Sequence, residues 1–376
     1  MYRNLKDYTF RWELLKNGNP VASGDIDIAL PAGKSKGVKI KGFPAIDINE
    51  GNEYHLSVYA FTRAGDDIIP AGHEVAREQF AIAVHDSFDL PDATGSQSKM
   101  TTEHGNWIFK CDNGIKIEFD SRNGELRGYS VNGHNLIAGV PTPSFWRAPT
   151  DNDRGSGDHI RLNAWRCAAE NKKVTEVTHT SNAPLQTVTA RYRLADVDAD
   201  YTLIYTIFPN GTLGITSRLH CSEDTPELMR FGMQIPMPRH FDNLSWYGRG
   251  PWENYSDRNT SSFIGIWSGN VNDMFFPYIF PQETGNHTDV RWATLTDKSG
   301  AGIMVTGMQP LNVSALDVTA ADLDPGVRKQ QMHTSDVRHS RSNVWLNVDL
   351  AQRGLAGDNS WGAQPHAPYR LNAGDY

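Results

Sequence analysis

The chain has 376 residues, 39% hydrophobic and 21% charged, enough to bury a large core in two or three domains without metal or disulfide staples. With 36 Lys and Arg against 44 Asp and Glu, the net charge of -8 argues against nucleic acid as a partner. Mean hydropathy is -0.51 and no apolar run approaches the ~18 residues that span a bilayer, so no membrane partner is expected.

The opening Met1-Tyr2-Arg3-Asn4-Leu5-Lys6-Asp7 lacks the apolar stretch of a signal peptide, and a strand pattern starts at once at Tyr8. Phe10, Trp12 and Leu14 alternate with polar neighbours, and Asn17-Gly18 supplies a tight turn. Six or seven short strands over residues 1–88 predict a small immunoglobulin-like β-sandwich. A polar, aperiodic linker with Pro91 and Gly95 follows at 89–101. From 102 to 376 the chain reads as strand after strand, which predicts a large sandwich of two many-stranded sheets. Asn113-Gly114, Asn123-Gly124, Asn132-Gly133 and Asn210-Gly211 mark hairpins, because Asn-Gly tolerates the positive φ of the favoured turns. Val188, Ala190, Tyr192 and Leu194 face one side of a strand, with Thr189, Arg191 and Arg193 on the other; Val344, Leu346 and Val348 alternate likewise. One short helix is expected within 163–173, with Trp165 and Ala168 on one face. Thr319-Ala320-Ala321-Asp322 has the form of a capping box before a brief helix that Pro325 and Gly326 end. Both termini are abrupt, and the last strand reads as truncated at Tyr376. The fold class is all-β.

Three patches interrupt the alternation with aromatic, Gly, Asp, Asn and Arg residues: 144–155, 246–258 and 354–362. That mixture suits sugars, whose apolar face stacks on an aromatic ring while the hydroxyl rim bonds Asp, Asn and Arg. It also suits structural corners of β proteins. Asp153, Glu253, Asp257, Glu283 and Asp358 are candidate carboxylates for glycoside hydrolysis, which needs two in register. The favoured alternative is ion pairing, Asp153 with Arg147 and Asp257 with Arg249 or Arg258. Asp151-Asn152-Asp153 opens like a calcium loop but has Leu162 at the twelfth position, and His333 and His339 lack zinc-site spacing. No metal ligands are expected. Cys111, Cys167 and Cys221 form no motif and read as buried thiols, which leaves cytoplasm and periplasm both open.

Longer motifs are more specific. Phe145-Trp146-Arg147-Ala148-Pro149-Thr150-Asp151-Asn152-Asp153, then Tyr247-Gly248-Arg249-Gly250-Pro251-Trp252-Glu253-Asn254-Tyr255-Ser256-Asp257-Arg258, resemble successive segments of bacterial β-galactosidases of glycoside hydrolase family two. Tyr278-Ile279-Phe280-Pro281-Gln282-Glu283-Thr284-Gly285 and Gly357-Asp358-Asn359-Ser360-Trp361-Gly362 are similar to two more, in the same order. The region around Phe10 to Gly18 resembles the domain that precedes them. The resemblance implies the fourth, immunoglobulin-like domain and the fifth, a galactose-mutarotase-like super-sandwich, of a retaining five-domain enzyme. It implies that the catalytic residues lie elsewhere, in a (β/α)₈ barrel with bound magnesium and sodium, so that this chain is inactive alone and has no cofactor. It assigns substrate contact to Trp361, Asp358 and Asn359, and an active-site loop to Asp153, Arg154 and Gly155. The implied partners are β-galactosides such as lactose, the enzyme's N-terminal domains and a second copy in a homo-oligomer. Residues 328–342 and the glycine-rich Gly155-Ser156-Gly157-Asp158 depart from the family pattern. A free-standing carbohydrate-binding module, or a mutarotase-like sugar epimerase, remains as an alternative.

Overall fold

The computed structural model describes residues 3–46, 51–84, 91–326, 332–359 and 361–376. The chain divides into two compact units, residues 1–87 with 263–266, and 88–262 with 267–376. Among the described residues both are built from antiparallel sheets.

In the first unit, β1 (Tyr8–Lys16), β2 (Asn19–Ile26), β3 (Tyr54–Thr62) and β4 (Glu74–Ala83) form a sheet in the order β2-β1-β3-β4. Asn17 and Gly18 take φ of 48° and 78°, which the two-residue hairpin between β1 and β2 requires. The described residues hold four strands here rather than six or seven. The stretch after β2 carries Pro31, Gly33 and Gly37 among lysines, too breakable to pair as strand. It remains irregular and covers the sheet with half-buried Ile40, Phe43 and Ile46, packed on Trp12, Leu14 and Tyr54. The Trp12 and Phe43 rings lie 5.5 Å apart.

Residues 85–90, which include the start of the expected linker, lie outside the described residues. Its last positions are already strand, since β5 spans Lys99–Glu103. β5 continues as a meander through β6 (Asn106–Lys110), β7 (Ile115–Asp120), β8 (Leu126–Val131) and β9 (His134–Asn135). After β10 (Thr142–Ser144), α1 (Asp151–Gly155) and α2 (Asp158–Arg161), a second meander runs through β11 (Lys173–Asn182), β12 (Leu185–Leu194), β13 (Ala199–Ile207) and β14 (Leu213–His220). The third sheet adds β15 (Arg230–Pro238), β16 (Asn243–Gly250), β17 (Phe263–Asn270), β18 (His287–Thr296), β19 (Gly302–Leu316) and β20 (Asn343–Gln352). Its order is β10-β15-β20-β19-β18-β16-β17. The Asn-Gly pairs all fall between consecutive strands.

One contiguous core joins the three sheets, with Phe109 and Phe119 from the first, Val188, Ala190 and Leu194 from the second, and Phe231 and Leu346 from the third. Phe145 sits edge-on to Tyr201 at 5.4 Å and stacks with Phe231 at 6.2 Å, bridging two sheets. The alternating face of β12 is the buried one, as its pattern predicts. The expected helix at 163–173 is only a 3-10 turn, Asn163–Trp165, although Trp165 and Ala168 are buried. The Thr319 capping box does form, closing on Asp322 at the start of α3 (Ala320–Leu323). Tyr376 exchanges two backbone hydrogen bonds of 3.0 Å with Leu219. Cys111 and Cys221 are buried, but Cys167 is exposed, because it lies on the surface turn that follows Trp165.

Candidate functional site

Beyond β20 the chain leaves the sheet at Arg353 and forms a loop that ends near His366. Its base is pinned by side chains distant in sequence. The fully buried Arg147 donates to the carbonyls of Arg353 and, at 2.9 Å, Gly354. Asp257 accepts from the amides of Leu355 at 2.9 Å and Ala356 at 2.8 Å. Asn152 donates to the Leu355 carbonyl at 3.0 Å. These bonds hold Ala356 at φ 59°, a left-handed conformation that a side chain ordinarily avoids. Further along, Gly362 lies so close to the carbonyl of Gly155 that a Cβ would sit 2.9 Å from it.

At the loop's tip, Asn359 Oδ1 accepts from the amides of Trp361 at 2.8 Å and Ala363 at 3.3 Å. Asp358 pairs with His366. Ser360 lies outside the described residues. The Trp361 side chain is 92% exposed, so a pinned backbone presents an indole to solvent. A large ring left in water beside a hydrogen-bonded backbone is an available stacking surface.

Asp153, Arg154 and Gly155 lie on α1, which Thr150 and Asp153 cap reciprocally. Asp153 is 2% exposed and receives Arg147 Nη2 at 2.9 Å and the Thr150 amide at 2.9 Å. Burial works against the Arg147 charge, but the pull and hydrogen bonds of Asp153, with further pull from Glu283 and Tyr255, together outweigh it, so its pKa lies above the ordinary arginine value. Arg154 pairs with the buried Asp324 at 3.3 Å and crosses the Phe280 ring at 5.2 Å. Of the three, only Gly155 is exposed. On α2, buried Asp158 holds Arg353 at 2.8 Å and Gln364 at 3.1 Å, tying both ends of the Trp361 loop to one helix. Residues 328–331, the start of the segment that departs from the family pattern, lie outside the described residues.

The remaining carboxylates are engaged in structure. The expected pairing of Asp257 with Arg249 or Arg258 is not found: Arg249 pairs with Asp289 at 2.5 Å and Arg258 with Glu253 at 2.8 Å. Asp257 is thereby left for two backbone amides. Glu283 receives Arg230 at 3.0 Å and Gln352 at 3.2 Å. Asp349, 3.0 Å from Arg230, has its pKa raised to about 7 by burial, against the pull of that arginine. His339 turns to Asp317 at 2.8 Å rather than to His333. Among the described residues no group of three His, Cys, Asp or Glu side chains could hold a metal ion. Sequence reasoning missed Asp257 as a loop anchor and Arg353 as the hub of α2; their placement beside Gly-rich stretches was the available signal.

Comparison with known families now bears on the chain. The family described as β-galactosidase small chain matches residues 112–376, and β-galactosidase domain 4 matches residues 1–83. This chain belongs to the β-galactosidase family. A β-galactosidase of Priestia megaterium is 32% identical over 99% of this chain and 35% of its own length. The β-galactosidase BgaC of Bifidobacterium adolescentis is 30% identical over 99% and 36%. The chain thus spans about a third of the length of these relatives. A galactose 1-epimerase from Lactobacillus acidophilus aligns with 75% of this chain and 96% of its own, at 7% identity and a TM-score of 0.38, too distant to bear on fold or chemistry. The two matched regions of the chain bracket its division at residues 87 and 88.

Proposed function

We propose that this chain supplies one wall of the sugar site in a retaining β-galactosidase, while the proton donor and nucleophile lie on another part of the enzyme. The observation that carries this is the exposed Trp361 indole on a loop whose base is locked by Arg147, Asn152 and Asp257. A galactoside's apolar face would stack on that ring. Asn359 has committed its oxygen to two amides, which leaves its NH₂ to donate to a hydroxyl. Asp358, shared with His366, offers an acceptor beside it. Retention needs two carboxylates about 5–5.5 Å apart, one able to give a proton. Asp153, Glu253, Asp257 and Glu283 are instead engaged by arginines, amides and hydroxyls, and Asp358 is left without a second carboxylate to work with, which supports an inactive chain when isolated. Substrates are β-galactosides such as lactose; the partners are the enzyme's other domains and a second copy. Magnesium and sodium would sit in the barrel, outside these residues.

Trp361→Ala in the full-length enzyme should raise KM several-fold to about tenfold, since an aromatic stack contributes roughly 0.5–1.5 kcal/mol beyond area burial. An unchanged KM would overturn the wall assignment. The isolated chain should not turn over nitrophenyl galactoside; activity that tracks the protein through purification would overturn the placement of the catalytic pair. Sub-millimolar galactose binding by the isolated chain would favour a free-standing binding module instead.

A further inference from the structure

The second aromatic patch contributes Asp257 to the Trp361 loop, yet most of its side chains face elsewhere. Trp252 and Arg258 join Asp273, Phe276, Tyr278 and His287 around a cleft of about 550 Å³ in the second unit. That volume suits a small molecule. Its wall is rigid. Glu253 accepts from Arg258 at 2.8 Å, Thr284 at 2.9 Å, the Gly285 amide at 2.7 Å and the Tyr278 hydroxyl. Those four bonds saturate the carboxylate and leave it no role in proton transfer.

His287 carries what the wall does not use. It is 2% exposed, lines the cleft and stacks on Trp246 with ring centroids 4.0 Å apart. The Trp252 backbone lies close enough to act on the ring, yet neither nitrogen reaches hydrogen-bond geometry with a protein group. Burial holds the imidazole neutral, with its pKa lowered to about 4, so it offers one donor and one acceptor. A buried polar ring without partners is costly unless something else supplies them. Around it, Trp252 is 57% and Phe276 55% exposed. The exposed Asp273 adds an acceptor and the half-exposed Arg258 adds donors.

We propose that this cleft binds a neutral saccharide, its apolar face against Trp252 or Phe276 and its hydroxyls bonded to His287, Asp273 and Arg258. Arg258 and Glu253 cancel in charge, and Asp273 repels anions, so a neutral polyol fits better than an acid. This is a second binding surface and does not rest on the role given to Trp361.

The test is saturation-transfer NMR and calorimetry of the 376-residue chain with methyl β-D-galactoside, methyl β-D-glucoside and methyl α-D-mannoside, in the native protein and in Trp361→Ala. At least one saccharide should bind the Trp361→Ala chain with millimolar affinity. Trp252→Ala or Phe276→Ala, both at exposed rings, should then weaken binding about tenfold. His287→Phe keeps the stack on Trp246 and removes both nitrogens, and should weaken it by a similar factor. No binding to Trp361→Ala at about 100 mM of each saccharide would overturn the proposal. So would affinity unchanged by all three cleft substitutions. Binding lost with Trp361 alone would assign the sugar to the loop and defeat the cleft.

Discussion

Replacing Arg147 with Met is the sharpest perturbation of the loop anchor. The thioether retains much of the apolar stem but removes every guanidinium donor. Asp153, 2% exposed, loses bonds of 2.9, 3.1 and 3.2 Å, and the Arg353 and Gly354 carbonyls lose theirs. Removing one partner of a buried pair costs about 3–5 kcal/mol, a large part of a domain stability of about 5–15 kcal/mol. At roughly 2–4 °C per kcal/mol, scanning calorimetry should show Tm lower by about 6–20 °C. Asp153→Leu added to Arg147→Met removes the stranded charge and should recover part of that loss, a coupling that the double-mutant cycle measures. Hydrogen exchange at Leu355 and Ala356 should quicken in the single variant, because their loop loses its clamp at the adjoining carbonyls. A loss below about 1 kcal/mol, with exchange unchanged, would refute the claim that this pair holds the loop.

Two buried groups should tilt stability in opposite directions with pH. Burial lowers His287 to about 4 from its ordinary 6.5, so the folded chain binds fewer protons across that window. Its contribution is full above 6.5 and lost as pH falls through 4; urea midpoints of His287→Phe should therefore decline less steeply toward acid than those of the native chain. Burial raises Asp349 to about 7 from 3.8, so its contribution is full below 3.8 and lost as pH rises through 7. Asp349→Asn should remove that loss, and an unaltered slope between pH 4 and 7 would count against it. Gly124 turns between β7 and β8 at φ 69°, where a Cβ would collide with the Ala190 methyl. Gly124→Ala should cost about 1–3 kcal/mol in urea unfolding, and an unmoved midpoint would contradict the packing.

What could be read from residues alone followed the range of the interactions. The alternating face of β12 and the five Asn-Gly turns are set by neighbours a few positions apart, and the structure shows them as expected. The Thr319 capping box was visible for the same reason. An equivalent box at Thr150 and Asp153 was passed over because the patch around it looked like ligand chemistry, and the brief helix α1 followed from it. Strand count in the first unit failed where apolar residues at 40, 43 and 46 pack on a sheet without joining it. Burial alone does not distinguish a covering loop from a strand. The family motifs singled out Trp361, whose ring the structure leaves exposed, but could not say that Asp257 ignores both neighbouring arginines.

That last choice has a physical cause. Arg258 is a few positions from Glu253 and finds a carboxylate with three further donors already organised around it, while Arg249 meets Asp289 across the sheet. Asp257 is left facing two amides nearly a hundred positions away, and a carboxylate accepting backbone N–H groups needs no cation. The same logic holds throughout the second unit. Arg147, Arg230 and Arg353 are buried at a desolvation cost that their carboxylates and carbonyls largely offset, so such pairs add little net stability. What they supply is position. Each joins segments that meet only in the folded chain, and Arg147 and Arg353 hold the base of the Trp361 loop against α1 and α2 while its ring stands in water. An apolar core of equal volume could fold as firmly, but it would carry no directional bonds to fix where that ring points.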